Sequence, residues 1–131
     1  MNPMREQIRS LLRVESCDGG FSALLNVDSN LAVLSDHFKG FPLLPGICMI
    51  QAVVLAGATR QGVSDLSVRM LKYAKFMQPV RPGEQLVIEA DMISIAADEF
   101  SIKASLSVGE RRCAEISLVV GLDAAQNGAR P

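Results

Sequence analysis

Apolar and polar residues alternate along the last third of the chain. Leu86, Ile88, Ala90 and Met92 interleave with Gln85, Glu89 and Asp91. Phe100, Ile102, Ala104, Leu106 and Val108 interleave with Ser101, Lys103, Ser105 and Ser107, and Ala114, Ile116, Leu118 and Val120 with Glu115 and Ser117. A period of two sends one set of side chains to each face of a strand. Ala97-Asp98 and Gly109-Glu110 stand at the two joins and predict hairpin turns. Three such strands in a row form an antiparallel meander with one wet face. Upstream, Leu66, Val68, Met70 and Ala74 to Phe76 predict another strand, closed off by Pro79 and Pro82-Gly83. Phe21 to Val27 alternates as well, and Asp28-Ser29-Asn30 is a turn signal. Residues 3–13 read as an amphipathic helix that docks through Ile8, Leu11 and Leu12.

One segment has no such period. From Leu43 to Ala58 the only polar side chain apart from the Cys48 thiol is Gln51. A helix apolar all round is buried on most sides. It is predicted from about Pro45 to Thr59. Pro45 suits its first turn, where a missing N–H is no loss, and Arg60 and Gly62 mark its end. A single all-apolar helix needs a sheet to cover it. The predicted architecture is α+β, a curved antiparallel sheet wrapped around one long central helix.

Composition narrows the picture further. At 131 residues the chain is most simply one domain, here 1–123, with 124–131 a small, polar tail expected to be disordered. A formal charge of −1 gives no nucleic-acid surface. No apolar run reaches the length of a membrane span, and the charged N-terminus is no secretory signal. Three cysteines (Cys17, Cys48, Cys113) without metal spacing read as free thiols in a reducing cytoplasm. One histidine and no cysteine cluster argue against a metal, and no motif calls for a cofactor.

That histidine, His37, lies within Asp36-His37-Phe38-Lys39-Gly40-Phe41-Pro42-Leu43-Leu44-Pro45-Gly46, directly before the apolar helix. An imidazole titrates near neutrality and can act as a general base. The helix start offers unpaired N–H groups at Gly46 and Ile47, which could receive a carbonyl oxygen as an oxyanion hole does. Base and oxyanion donors together suit proton abstraction next to a carbonyl or thioester. Each feature also has a plain structural role. A lone histidine is more often a hydrogen-bonded structural residue, Pro-Gly at a helix start is often punctuation, and Gln51 could be a buried amide satisfied by backbone groups. Cys48, on an apolar helix with no second base, reads as an inert buried thiol. Phe38, Met49, Ile50 and Val54 could line an apolar pocket or simply pack the core. Arg69, Lys72 and Lys75 read as solvated strand positions.

The run from His37 to Gly46 resembles the His-Phe-Pro-Gly-x-Pro-x-x-Pro-Gly signature of bacterial 3-hydroxyacyl-acyl carrier protein dehydratases. A second segment, Ala74-Lys75-Phe76-Met77-Gln78-Pro79-Val80-Arg81-Pro82-Gly83-Glu84, is similar to that family's Ala-Arg-Phe-Lys-Arg-Pro-Val-x-Pro-Gly-Asp stretch. The resemblance spans about residues 20–121 in the same order. It implies the hot-dog fold, a long helix held in an antiparallel sheet, and a dimer with two sites at its interface. It implies that His37 takes the proton beside the thioester and that the Gly46 N–H binds the thioester carbonyl, with Phe38, Pro45, Ile47 and Ile50 against the substrate. The family's acid, which protonates the departing hydroxyl, sits fourteen residues past its histidine on the central helix. That position is Gln51. An amide can hydrogen-bond a hydroxyl but cannot protonate it. Lys39 for the motif proline and Met77-Gln78 for a basic pair are smaller departures.

The resemblance thus implies a dehydratase-like protein acting on acyl carrier protein or coenzyme A thioesters in fatty acid, polyene or polyketide synthesis, as a homodimer or an oligomer of dimers. Three alternatives stand beside it: a non-catalytic or half-active subunit of a heterodimer with a related dehydratase, a hot-dog thioesterase, and a plain acyl-thioester binder.

Overall fold

A computed structural model describes residues 3–28 and 44–123. Helix α1 (Pro3–Leu11) leads directly into strand β1 (Leu12–Cys17), and β2 (Gly20–Asn26) follows across a two-residue turn. The central helix α2 (Gly46–Gln61) comes next, then β3 (Ser67–Phe76), β4 (Gln85–Ala96), β5 (Glu99–Val108) and β6 (Arg111–Gly121). The six strands form one sheet in the order β1-β2-β4-β5-β6-β3, antiparallel at every pairing.

The predicted meander is present, with its hairpin turns at the expected joins. The register shows why the alternation is so regular. Ile88 pairs Leu106, and Ile102 pairs Leu118, so one row of apolar side chains crosses the sheet on a single face. That face meets α2, whose Cys48, Met49 and Ala52 to Ala58 are buried. The sheet and helix together make the hot-dog arrangement.

Two boundaries differ from expectation. The N-terminal helix stops at Leu11 rather than residue 13, because Leu12 to Cys17 pair residue for residue with β2. In isolation, Leu12-Arg13-Val14-Glu15 fits the end of an amphipathic helix as well as a short edge strand, and pairing with β2 decides it. The central helix runs two residues beyond Thr59, to Gln61. Gly62 ends it in the left-handed region at φ 73°, its N–H and that of Val63 capping the Thr59 and Ala58 carbonyls.

Ile8 of α1 is fully buried, as the docking reading required. Arg5 pairs with Asp65, and the Arg9 guanidinium donates to the Ser64 carbonyl at 2.9 Å, fixing α1 over the loop that follows α2. The predicted disordered tail, 124–131, lies outside the described residues.

Candidate active site at the start of the central helix

Pro45 sets the entry to α2. Its backbone is extended, with φ −65° and ψ 151°, and its carbonyl accepts from the Cys48 N–H at 3.0 Å. No side chain among the described residues caps the helix, and no acid sits in its first turn. The Gly46 and Ile47 N–H groups therefore have no partner within the helix, and the positive end of the helix dipole is uncompensated by its own residues. This is the chemistry expected of a carbonyl-binding site.

Gly46 is glycine for a reason visible in the packing. A Cβ built there would lie 2.7 Å from Cζ of Phe76, at the end of β3. The aromatic ring occupies the space a side chain would need. Beside it, Leu44, Gly46, Met49, Phe76, Met77, Gln78 and Pro79 enclose a cleft of about 210 Å³. Both walls are tied down by backbone hydrogen bonds. Leu44 N–H donates to the Val80 carbonyl at 2.8 Å, and Met77 N–H to the Cys113 carbonyl at 2.8 Å. The sequence marked Phe76 only as part of the second motif; its contact with Gly46 gives it a place in the site.

The strap from Pro79 to Glu84 brings the two motif segments together. Val27 N–H donates to the Glu84 carbonyl and Gly83 N–H to the Val27 carbonyl, at 2.9 and 2.7 Å. With the Leu44 bond, this strap holds the chain on both sides of 29–43, the stretch that carries His37 and Phe38. Both of those residues lie outside the described residues. The strap is itself braced. Arg111 makes a two-pronged contact with the Glu84 carboxylate at 2.9 and 2.8 Å, and the Arg81 N–H donates to the same carboxylate at 2.7 Å. These contacts, the Arg111 guanidinium first, lower the Glu84 pKa below the usual carboxylate value. Sequence reading missed this latch, since no local spacing links residues 84 and 111.

On α2 the remaining candidates separate by face. Ile47 is 54% exposed, Ile50 is part-buried against the core, and Val54 is buried. Met49 is also buried and lines the cleft. Val54 is thus a core residue. Gln51 shares the helix face of Ile47, one turn along. Its Oε1 is buried and has no hydrogen-bond partner among the described residues. Backbone satisfaction of this amide oxygen, the plain structural role, is not found there. Cys48 is fully buried, and burial pushes its thiol up to about 11, so it is no nucleophile at neutral pH. No cluster of His, Cys, Asp or Glu among the described residues could hold a metal.

A larger hollow, about 500 Å³, lies on the polar side of the sheet and is lined in part by Glu89, Asp91, Lys103 and Glu115. It is on the face opposite α2 and shares no residue with the cleft at Gly46.

Comparison with known proteins identifies the family and the fold. The ApeI-like family model, described as ApeI dehydratase, matches residues 14–114. A 3-hydroxyacyl-[acyl-carrier-protein] dehydratase FabZ from Wolbachia sp. subsp. Drosophila simulans is 32% identical over 114 residues, covering 81% of this chain and 80% of its own. Among solved structures, the dehydratase heterocomplex ApeI:P from Xenorhabdus doucetiae superposes with a TM-score of 0.65 at 20% identity, over 83% of this chain and 94% of that one. A hypothetical thioesterase from Streptococcus pneumoniae, solved with coenzyme A, gives 0.66 at 10% identity, over 88% of each chain. The two structures speak to the fold, and the sequence matches speak to the family. With Leu44 and Gly46 meeting Phe76 to Pro79 at the open start of α2, the chain belongs to the ApeI-like dehydratase family and is a hot-dog relative of the 3-hydroxyacyl-[acyl-carrier-protein] dehydratases.

Proposed function

We propose that this chain binds a 3-hydroxyacyl thioester, carried on acyl carrier protein or coenzyme A, at the start of α2 and performs the proton-abstraction half of a dehydration there. The thioester carbonyl accepts from the Gly46 N–H, with Ile47 N–H beside it. That contact stabilises the negative charge that develops when His37 removes the proton from the neighbouring carbon. Phe38, Pro45, Ile47 and Ile50 contact the acyl thioester. The observation that carries the reading is the Gln51 Oε1, buried on the same helix with no hydrogen-bond partner among the described residues. A buried acceptor without a donor is costly, and the hydroxyl of a 3-hydroxyacyl group is such a donor. Gln51 thereby orients the leaving hydroxyl but cannot protonate it.

A second reading follows from that same residue. The acid of the reaction comes from another chain, and this protein works as one half of a mixed dehydratase dimer. The naming of the Xenorhabdus doucetiae neighbour as a heterocomplex supports it. Hydrolysis of the thioester, as in the thioesterases that share the fold, rests on fold alone. No helix among the described residues is long and apolar enough to cross a membrane, and we place the reaction in the cytoplasm.

The test is hydration and dehydration of a short 3-hydroxyacyl/enoyl carrier thioester by the parent, Gln51→Glu and His37→Ala. An inert or slow parent with an active Gln51→Glu variant supports a dehydratase site lacking its acid. Full parental activity that depends on His37 would show that the amide suffices. Inactivity of both parent and Gln51→Glu with every acyl thioester would remove the enzymatic reading.

A further inference from the structure

The far end of the strap between β3 and β4 is a closed turn. The Glu84 N–H donates to the Arg81 carbonyl at 3.1 Å across Pro82 and Gly83, and Gly83 lies at φ 87°. Proline followed by a glycine at positive φ is the sequence of a type II turn. The Glu84 carboxylate folds back over this turn and accepts from the Arg81 N–H at 2.7 Å. Arg111, the first residue of β6, grips the strap at both ends. Its Nη2 donates to the two Glu84 carboxylate oxygens at 2.9 and 2.8 Å and to the Pro79 carbonyl at 3.3 Å.

As a source of stability this arrangement is weak. The Arg111 and Glu84 side chains are 35% and 23% exposed, and an ion pair open to solvent stabilises a fold only modestly. The Arg111 Nε is buried and donates to no oxygen among the described residues, which works against it. As a way of fixing geometry it is well placed. The strap supplies the carbonyl that holds the Leu44 N–H, and it exchanges two backbone hydrogen bonds with Val27. Leu44 stands two residues before Gly46, and Leu44 and Pro79 both line the cleft. Residues 29–43, His37 among them, run between the two points that the strap holds. One side-chain contact thus governs the cleft wall beside Gly46 and both attachment points of the stretch that carries the base.

We propose that Arg111 and Glu84 are the positioning pair of this site, setting through the strap the cleft wall against the Gly46 N–H and the anchor points of the His37 stretch. Neither residue touches the substrate. The catalytic consequence rests on the deprotonation reading above; the structural one rests on the strap's own hydrogen bonds.

The test compares Arg111→Met, Glu84→Gln and Arg111→Lys with the parent, after circular dichroism has shown that each folds. Gly62→Ala, at the far end of α2, is the control that loses stability with the pair intact. Two quantities are read: solvent-deuterium exchange beside the thioester of a 3-hydroxyacyl carrier substrate, and hydrogen exchange of single backbone amides by NMR. In Arg111→Met and Glu84→Gln, kcat is expected to fall about 10- to 100-fold with KM within about two-fold, because a misplacement of about 1 Å costs on the order of 10²-fold. Arg111→Lys should recover most of that loss, since a single nitrogen makes all three contacts and an ammonium carries three donors. Protection should drop about ten-fold at the Val27, Gly83 and Leu44 amides and stay unchanged in β5. The proposal is overturned by a kcat within about three-fold of the parent in both Arg111→Met and Glu84→Gln, by an equal fall in Gly62→Ala, or by β5 amides that open together with those of the strap. A parent without His37-dependent exchange sinks the deprotonation reading instead. The amides then decide alone: a local loss in Arg111→Met supports the pair's role, and unchanged protection at all three ends it.

Discussion

Gln51 decides what this site can do. In the proposed reaction its amide stands where an acid is needed, on a helix whose other described side chains are apolar apart from Cys48, Thr59, Arg60 and Gln61. No Asp or Glu occurs between Asp36 and Asp65, so α2 itself offers no substitute. Loss of general-acid assistance costs ~10²–10⁴ in rate. Gln51→Glu is therefore expected to raise dehydration by roughly that factor, measured as enoyl thioester formed per unit time, while His37→Ala abolishes it. Of the candidate site, the sequence offered local chemistry: a Pro-Gly helix start and one amide on an apolar helix, both on α2, and one imidazole, His37, which lies outside the described residues. What could not be seen was anything set by distant pairing. Phe76 fills the space beside Gly46 because β3 ends there, and Glu84 meets Arg111 because β6 returns past the strap.

At the scale of elements, α2 depends on how it ends as much as on how it starts. Gly62 sits at φ 73°, and a Cβ there meets nothing within 4 Å. The cost of replacing it is thus backbone strain alone. Gly62→Ala is expected to lower stability by about 1–2 kcal/mol, read from the urea midpoint, without altering the register of the sheet. The strands of the meander were visible in advance because β5 and the first part of β4 bury mainly one face, which forces a clean alternation, whereas β6 buries Ser117 and Val119 on its other face as well. Strand β1 was hidden for the converse reason. It is an edge strand with mostly exposed side chains, so its pattern carries little of the core's signature. Its two apolar positions also fit the helix that precedes it.

For the whole molecule, sheet and helix form one core, and the strap from Pro79 to Glu84 joins that core to the site. The Arg111–Glu84 contact that braces the strap makes stability depend on pH. The Glu84 pKa is lowered in the folded protein, chiefly by Arg111 and then by the Arg81 N–H. Its contribution is complete above the ordinary glutamate pKa and disappears as pH falls through the lowered folded value. Thermal unfolding of the parent should fall below that of its neutral-pH form as pH drops under the usual carboxylate range. Glu84→Gln should lose stability at neutral pH and show a flatter acid limb. The central claim, however, is that the fold builds a working deprotonation site at the start of α2 whatever becomes of the acid step. The most direct measurement is solvent-deuterium exchange at the carbon next to the thioester in a 3-hydroxyacyl carrier substrate, followed by mass spectrometry, because it requires the base and the carbonyl-binding N–H groups but no acid. Exchange catalysed by the parent, lost in His37→Ala and retained in Gln51→Ala, is the predicted result; a parent that leaves the substrate unexchanged, or exchange that survives in His37→Ala, would contradict it.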